Sequence, residues 1–251
     1  METDLVYLKS VDSTNEEVKR RAEKGAKEGL VIMASSQLRG QGRSGRSFYS
    51  PDCGNLYMSI LLKPRSVSVF EKITVMAAVS CTKAINEMFF SDKDNSSEKA
   101  LIKWVNDVYY GNRKIAGIIA KAENFGKENQ YVILGIGVNI FDCEVVPDEI
   151  KDIYGSIKRV KNNDGKNIAY ELGCKILEYF ADIYETPDKS DFMREYRDLS
   201  LLIGRSVVYV SGNDEISVSV VDIDNEGSLV VKDESGRINS YRDGEIRIKI
   251  K

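Results

Sequence analysis

The stretch Leu101-Ile102-Lys103-Trp104-Val105-Asn106-Asp107-Val108-Tyr109-Tyr110, followed by Gly111-Asn112 and then Arg113-Lys114-Ile115-Ala116-Gly117-Ile118-Ile119-Ala120-Lys121-Ala122-Glu123, reads as two strands about a two-residue turn. With that turn, Tyr109 faces Lys114, and alternation puts Asp107 and Lys103 on the same face. Two ammonium groups then flank one carboxylate on a sheet surface. The set suits a polyphosphate, with lysines neutralising charge and the carboxylate able to hold Mg²⁺. It equally suits an ordinary cross-strand ion pair, and the hairpin alone leaves both readings open. Gly117, before apolar Ile118 and Ile119, marks a place where a ligand or another backbone comes close.

Working outward, Tyr131–Ile140 is a third strand, after a turn at Gly126, and it carries Gly135, Gly137 and Asn139. The glycines allow either close strand packing or a purine lying on the backbone with Asn139 at its edge. Upstream, Leu5–Leu8 and Leu30–Ala34 are short strands, and Asn55–Leu62 is another. Ser13 with Glu16 fits a capping box opening a helix that Gly25 ends. Phe70, Ile73, Ala77, Cys81, Ala84 and Met88 recur at helical spacing, and Ser91–Lys99 is a polar loop. Downstream, Asn167–Glu185 and about 190–199 are helical. From Gly204 on, five short β-rich stretches (206–210, 216–222, 228–232, 238–241 and 245–250) alternate with turns and suggest a small barrel. The expected fold is therefore α+β, a mixed sheet flanked by helices in residues 1–202, with a small C-terminal β barrel in 203–251.

Composition narrows the chemistry. The chain has 251 residues, a net charge of −3 and no histidine. Histidine triads, histidine acid–base catalysis and most zinc hydrolase sites are excluded together. Chemistry must rest on lysine, arginine, carboxylates, backbone amides or a hard metal. Cys53, Cys81, Cys143 and Cys174 are widely spaced and form no C-x-x-C pair, so they read as buried thiols in a reducing cytoplasm. No secretory leader and no apolar run of about 18 residues stands in the sequence.

Between Gly29 and Pro51 there is no acid, and Arg39, Arg43 and Arg46 interleave with Gly40, Gly42 and Gly45. Glycine lets a backbone turn its N–H groups on an anion, and arginine supplies fixed forks for phosphate or carboxylate. The spacing differs from a P-loop and from G-x-G-x-x-G. Alone, this segment reads as an anion site or as a solvated basic loop. Ser13-Thr14-Asn15 alone is a helix cap, and Phe48 and Trp104 alone are core aromatics.

Taken together and in order, these motifs resemble those of the biotin protein ligases. They are Ser13-Thr14-Asn15; Gln37 with Gly40-Gln41-Gly42-Arg43-Ser44-Gly45-Arg46-Ser47-Phe48; Lys103-Trp104-Val105-Asn106-Asp107; Arg113-Lys114-Ile115-Ala116-Gly117-Ile118; and Gly135-Ile136-Gly137-Val138-Asn139. The resemblance implies a class II synthetase-like, biotin/lipoate ligase core with an SH3-like barrel. It also implies the chemistry: biotin and ATP give biotinyl-5′-AMP and pyrophosphate, and the biotin then passes to a lysine of a biotin carboxyl carrier protein. Biotin would lie among Ser13, Thr14, Asn15, Gln37, Gly40, Gln41, Gly42, Arg43, Lys114 and Gly117. ATP and the adenylate would lie among Arg43, Arg46, Phe48, Lys103, Trp104, Asn106, Asp107 and Asn139. The expected catalytic groups are Arg43, Lys114, Lys103 and Asp107, with Asp107 holding Mg²⁺.

ATP and Mg²⁺ would act as co-substrate and ion, biotin as substrate, with no tightly bound prosthetic group. Three departures from the family pattern stand out. Gln41 stands where a cation is common, Phe48 where tryptophan is common, and Val105 where proline is usual. The chain starts at the catalytic region, so specific DNA binding is not expected; no membrane partner is expected either, and dimerisation is left open. Rival readings are a lipoate or octanoate ligase or transferase of the same core, and a non-catalytic module that binds biotin or nucleic acid.

Overall fold

The computed structural model describes residues 1–90, 99–124, 130–158, 166–211, 214–242 and 245–248. Residues 91–98 of the expected polar loop, the turn at Gly126 and positions 249–250 of the last expected strand lie outside them.

The main sheet has seven strands: β1 (Asp4–Leu8), β2 (Leu30–Ala34), β3 (Leu56–Leu62), β4 (Leu101–Lys103), β5 (Asp107–Tyr110), β6 (Arg113–Glu123) and β7 (Tyr131–Val138). Their order is β1-β2-β3-β7-β6-β5-β4. β1 and β2 run parallel and every other neighbour pair is antiparallel. The helices are α1 (Thr14–Glu23), α2 (Val67–Phe89), α3 (Lys166–Glu185) and α4 (Phe192–Asp198).

Burial on both faces explains why β2 is apolar throughout and β3 is apolar but for Ser59. Val31 and Met33 join the large core formed with α2 and α3, whereas Leu30 and Ile32 face Val18 of α1 in a smaller cluster. Side chains on a strand alternate faces, so one apolar run serves two cores. Each such burial contributes about 1.5–3 kcal/mol. α2 starts at Ser66, whose hydroxyl accepts the N–H of Val69 at 3.3 Å, as an N-cap should.

The second sheet is antiparallel, ordered β11-β10-β9-β8-β12, from β8 (Ser206–Ser211), β9 (Asp214–Ile223), β10 (Leu229–Lys232), β11 (Ile238–Tyr241) and β12 (Glu245–Ile248). Tyr209 of β8 stacks on Tyr241 of β11 with centroids 3.9 Å apart. A flat sheet would hold strands three positions apart at roughly 14 Å, so this sheet curls on itself, as an SH3-like barrel does. Val207, Val218, Leu229 and Ile246 join the same apolar cluster as the main sheet. Trp104 bridges the sheets, its indole N–H donating to Gly227 O at 2.9 Å. No helix among the described residues is long and apolar enough to cross a membrane.

Three sequence expectations change. First, Leu101–Tyr110 is not one strand. Residues 104–106 turn the chain, with a cis Trp104–Val105 peptide, so β4 and β5 form a hairpin in which Lys103 pairs directly with Asp107. The turn has neither glycine nor proline, so nothing in its composition announces it. Second, neither half of the capping box forms: Ser13 makes no side-chain cap bond, its N–H donates to Asp12 Oδ1 and Glu16 is bound to Gln41. Third, Cys53 and Cys143 are disulfide-bonded, with Cα atoms 5.7 Å apart. Ninety positions separate them in sequence, but they flank the paired strands β3 and β7. The reading as buried thiols therefore holds only for Cys81, where burial pushes the thiol up to about 12; Cys174 is a free thiol but only half-buried.

Candidate active site

One cavity of about 860 Å³ opens over the β3, β7 and β6 face of the main sheet. Its polar end is built by the start of α1. Gln37 Oε1 accepts from the Thr14 N–H at 2.8 Å and lies 3.0 Å from the Thr14 hydroxyl, while Gln37 Nε2 donates to Ser50 Oγ at 2.9 Å. Ser59, fully buried on β3, holds its hydroxyl 2.7 Å from Thr14 Oγ1 and 2.6 Å from Asn15 Oδ1. The helix start, the Gln37 segment and β3 thus fix one another around Thr14 and Asn15.

The charged end carries Arg43, Arg46, Lys103, Lys114 and Asp107. Lys114 Nζ lies 2.7 Å from Asp107 Oδ1, and Lys103 Nζ lies 5.2 Å from the centre of the Tyr109 ring. Tyr109 faces Lys114 across β5 and β6, as the sequence implies. Asp107 is the one carboxylate among the described residues lining the cavity, and no group of three acids, cysteines or histidines is assembled there for a metal. Mg²⁺ is commonly held by one or two carboxylates plus substrate phosphates, so a single Asp107 among these cations fits that ion.

The glycine–arginine segment is folded. Gln41 pairs with Ser47, Gly42 N donates to Arg46 O at 2.8 Å and Phe48 N to Gly40 O at 2.9 Å. A short 3₁₀ turn spans Arg43–Gly45 at its tip. The Gln41 amide is used at both ends: Nε2 donates to Glu16 at 2.8 Å, and Oε1 accepts from Lys121. Gln41 therefore ties the segment to α1 and β6, and Lys121 brings an ammonium group to the position where a loop cation was missed. The Arg43 guanidinium donates to Asn106 Oδ1 at 3.0 Å.

The glycine strand serves packing here. A Cβ at Gly137 would meet the Phe48 ring at 2.4 Å, one at Gly135 would meet Asn15 Oδ1 at 2.5 Å, and one at Gly117 would meet Phe48 at 3.0 Å. Phe48 lies over β6 and β7 and sets its ring edgewise to Tyr57 at 6.4 Å. Asn139 also lines the cavity. Its Nδ2 donates to Gly155 O at 3.0 Å, while its buried Oδ1 meets no donor among the described residues.

Two expected residues lie off the cavity wall. Ser13 is buried behind it with no side-chain partner among the described residues. Gly40 is buried against the Phe48 carbonyl and Ser50. Trp104 reaches the wall but is 4% exposed and belongs to the core. Sequence reading missed Ser59, Lys121, Met58, Tyr49, Ile153, Tyr154, and Val210 and Ile246 of the small sheet. Tyr154 joins the site because residues 153–158 return beside β6 through a bridge to Lys114. Burial raises its phenol to about 12, so it remains an O–H donor. Only Ser59, as a polar residue inside an apolar strand, gave a signal that could have been used.

The family model "Biotin/lipoate A/B protein ligase family" matches residues 7–139, and "Biotin protein ligase C terminal domain" matches residues 202–247. The chain belongs to the biotin/lipoate A/B protein ligase family. The biotin protein ligase of Aquifex aeolicus, solved in complex with biotin and ATP, is similar to this chain at 27% identity over 99% of both chains, with a TM-score of 0.77. The bifunctional ligase/repressor BirA of Escherichia coli is 23% identical over 98% of this chain and 74% of its own length. The biotin–[acetyl-CoA-carboxylase] ligase of Mycobacterium tuberculosis is 26% identical over 96% of this chain and 88% of its own.

Proposed function

We propose that this single cavity binds biotin and ATP side by side and that the chain is a biotin–protein ligase, forming biotinyl-5′-AMP and passing biotin to a lysine of a biotin carboxyl carrier protein. The observation that carries the reading is the join of a polar pocket at Thr14, Asn15 and Gln37 to a cationic floor at Arg43, Lys103 and Lys114 inside one 860 Å³ space. Ligand pockets span roughly 300–1,000 Å³, so this space suits two small ligands held together.

In this reading Thr14, Asn15 and Gln37 hold the polar ring end of biotin, and Gly117 lines the wall beside its chain. Ser13 and Gly40 shape that pocket from behind, and Gln41 stands on its wall. The biotin carboxylate, steered by Arg43 and Lys114, attacks the α-phosphorus, and pyrophosphate leaves. Lys103, Lys114 and Arg46 offset charge on the phosphates, where fixed cations act most strongly in the transition state. Asp107 orients Lys114 and is the ligand offered to Mg²⁺, which would neutralise phosphate charge when bound. The orphaned Asn139 oxygen suits an amino group of the adenine, since buried acceptors without donors are rare. Phe48 flanks the adenosine. The carrier lysine then attacks the acyl carbon, loses a proton, and AMP departs.

Arg43, Gly42 and their neighbours cover the mixed anhydride and keep water from it. Two measurements test the reading: biotin-dependent exchange of pyrophosphate into ATP, and transfer of biotin to a carrier domain with AMP as product. No exchange with biotin, or exchange with lipoate in its place, overturns it.

A further inference from the structure

Arg43 is exposed, yet its guanidinium has a fixed acceptor. We infer that Asn106 is the positioning residue that holds Arg43 over the cavity, acting through Arg43 rather than by touching the adenosine. The inference rests on the role of Arg43 given above.

Asn106 is 8% exposed and is held on three sides. Its Oδ1 accepts from Arg43 Nη1 at 3.0 Å, its Nδ2 donates to Ile118 O at 2.5 Å, and its own carbonyl accepts from Ile118 N at 3.0 Å. A flipped amide would turn its NH₂ on the guanidinium and its oxygen on a carbonyl, so one orientation is enforced. The turn that carries it is braced from behind. Buried Tyr196 of α4 donates to Val105 O at 2.9 Å, and Trp104 is tied to Gly227.

The choice of a neutral acceptor has a chemical reason. A carboxylate would grip Arg43 harder but cancel the charge that a substrate carboxylate or phosphate needs. An amide orients the guanidinium and leaves its charge in place. It also engages one of five N–H donors, so the hold does not exhaust the group.

The test is the rate at which labelled acyl-adenylate, formed from biotin and ATP without acceptor, leaves the protein. It is measured for wild type, Asn106→Ala, Arg43→Ala and the double variant. Loss of one hydrogen bond to a charged group is expected to speed release about tenfold in Asn106→Ala. In the Arg43→Ala background the second change should add nothing. Additive effects, or unchanged release in Asn106→Ala, overturn the inference while leaving the ligase reading standing. Unchanged release in Arg43→Ala instead contradicts the proposed role of Arg43. If Asn106→Ala does not fold, Asn106→Ser decides: its shorter hydroxyl cannot span to Arg43, so release should again speed up about tenfold. Release at the wild-type rate would contradict the inference.

Discussion

Gly137 shows how much of this site hangs on single atoms. Its missing Cβ is the space that the Phe48 ring fills, at 2.4 Å from where that carbon would stand. Overpacking costs about 1–3 kcal/mol, but Phe48 is half-buried outside any helix or strand and can yield. Gly137→Ala should therefore raise KM for ATP about tenfold, with little loss in thermal midpoint; a large fall in midpoint with unchanged KM would contradict the place given to Phe48 beside ATP. Asp12 gives a pH dependence. The Arg20 side chain, bonded to it at 2.7 and 2.8 Å, holds its carboxyl well below the usual range. A depressed folded-state value stabilises above the unfolded value of about 3.9 and is lost as pH falls through the folded one. Asp12→Asn should thus lower stability near pH 7 by about 1 kcal/mol or less and leave it unchanged at the acid extreme, as denaturant titrations at both pH values would show. The residues bearing cations and amides were legible because their types carry the chemistry. Tyr154 was not, since a tyrosine in an unpatterned segment acquires meaning only from its neighbours; Ser59 left a trace as a polar residue inside an apolar strand.

The glycine–arginine segment behaves as an element in its own right, a short hairpin pinned from two sides. Gln41 joins it to Glu16 of α1 and Lys121 of β6, and Arg43 joins it to Asn106. The residues alone left this segment as an anion site or a solvated basic loop, and the family resemblance put Gln41 beside biotin; neither could show that an amide suits a gap between an acid and an ammonium. Gln41→Ala should leave the thermal midpoint nearly unchanged but speed tryptic cleavage after Arg43 and Arg46 several-fold, scored by mass spectrometry of early fragments. Cleavage at the wild-type rate would mean the amide does not restrain the hairpin. The strands were read well where an apolar run ended in glycine, proline or a polar cluster, as at β2 and β3. The hairpin of β4 and β5 escaped because its turn, Trp104-Val105-Asn106, looks like more strand.

At the scale of the molecule, the two sheets share a core and a cavity. Val210 and Ile246 of the small sheet reach the site, and Trp104 of the main sheet hydrogen-bonds to Gly227. Trp104 is the only tryptophan, so its fluorescence reports on the junction. Unfolding followed by that fluorescence and by far-ultraviolet circular dichroism should coincide in one transition. An earlier fluorescence transition would mean that the sheets part independently. Trp104→Phe leaves a buried carbonyl without its donor and should cost about 1–3 kcal/mol. Helix and strand patterning carried the α+β core, and five short β stretches carried the curled terminal sheet. The convergence of the motifs on one cavity was implied only by family resemblance, because strand spacing does not say which loops meet. The most direct measurement of that convergence is to incubate the protein with biotin, Mg²⁺ and α-labelled ATP, omit the acceptor, and pass it rapidly through a desalting column. Label that elutes with the protein only when biotin is present, and leaves as AMP once a carrier domain is added, is the expected result. Label that elutes without biotin, or never elutes with the protein, would contradict a shared site for the two substrates.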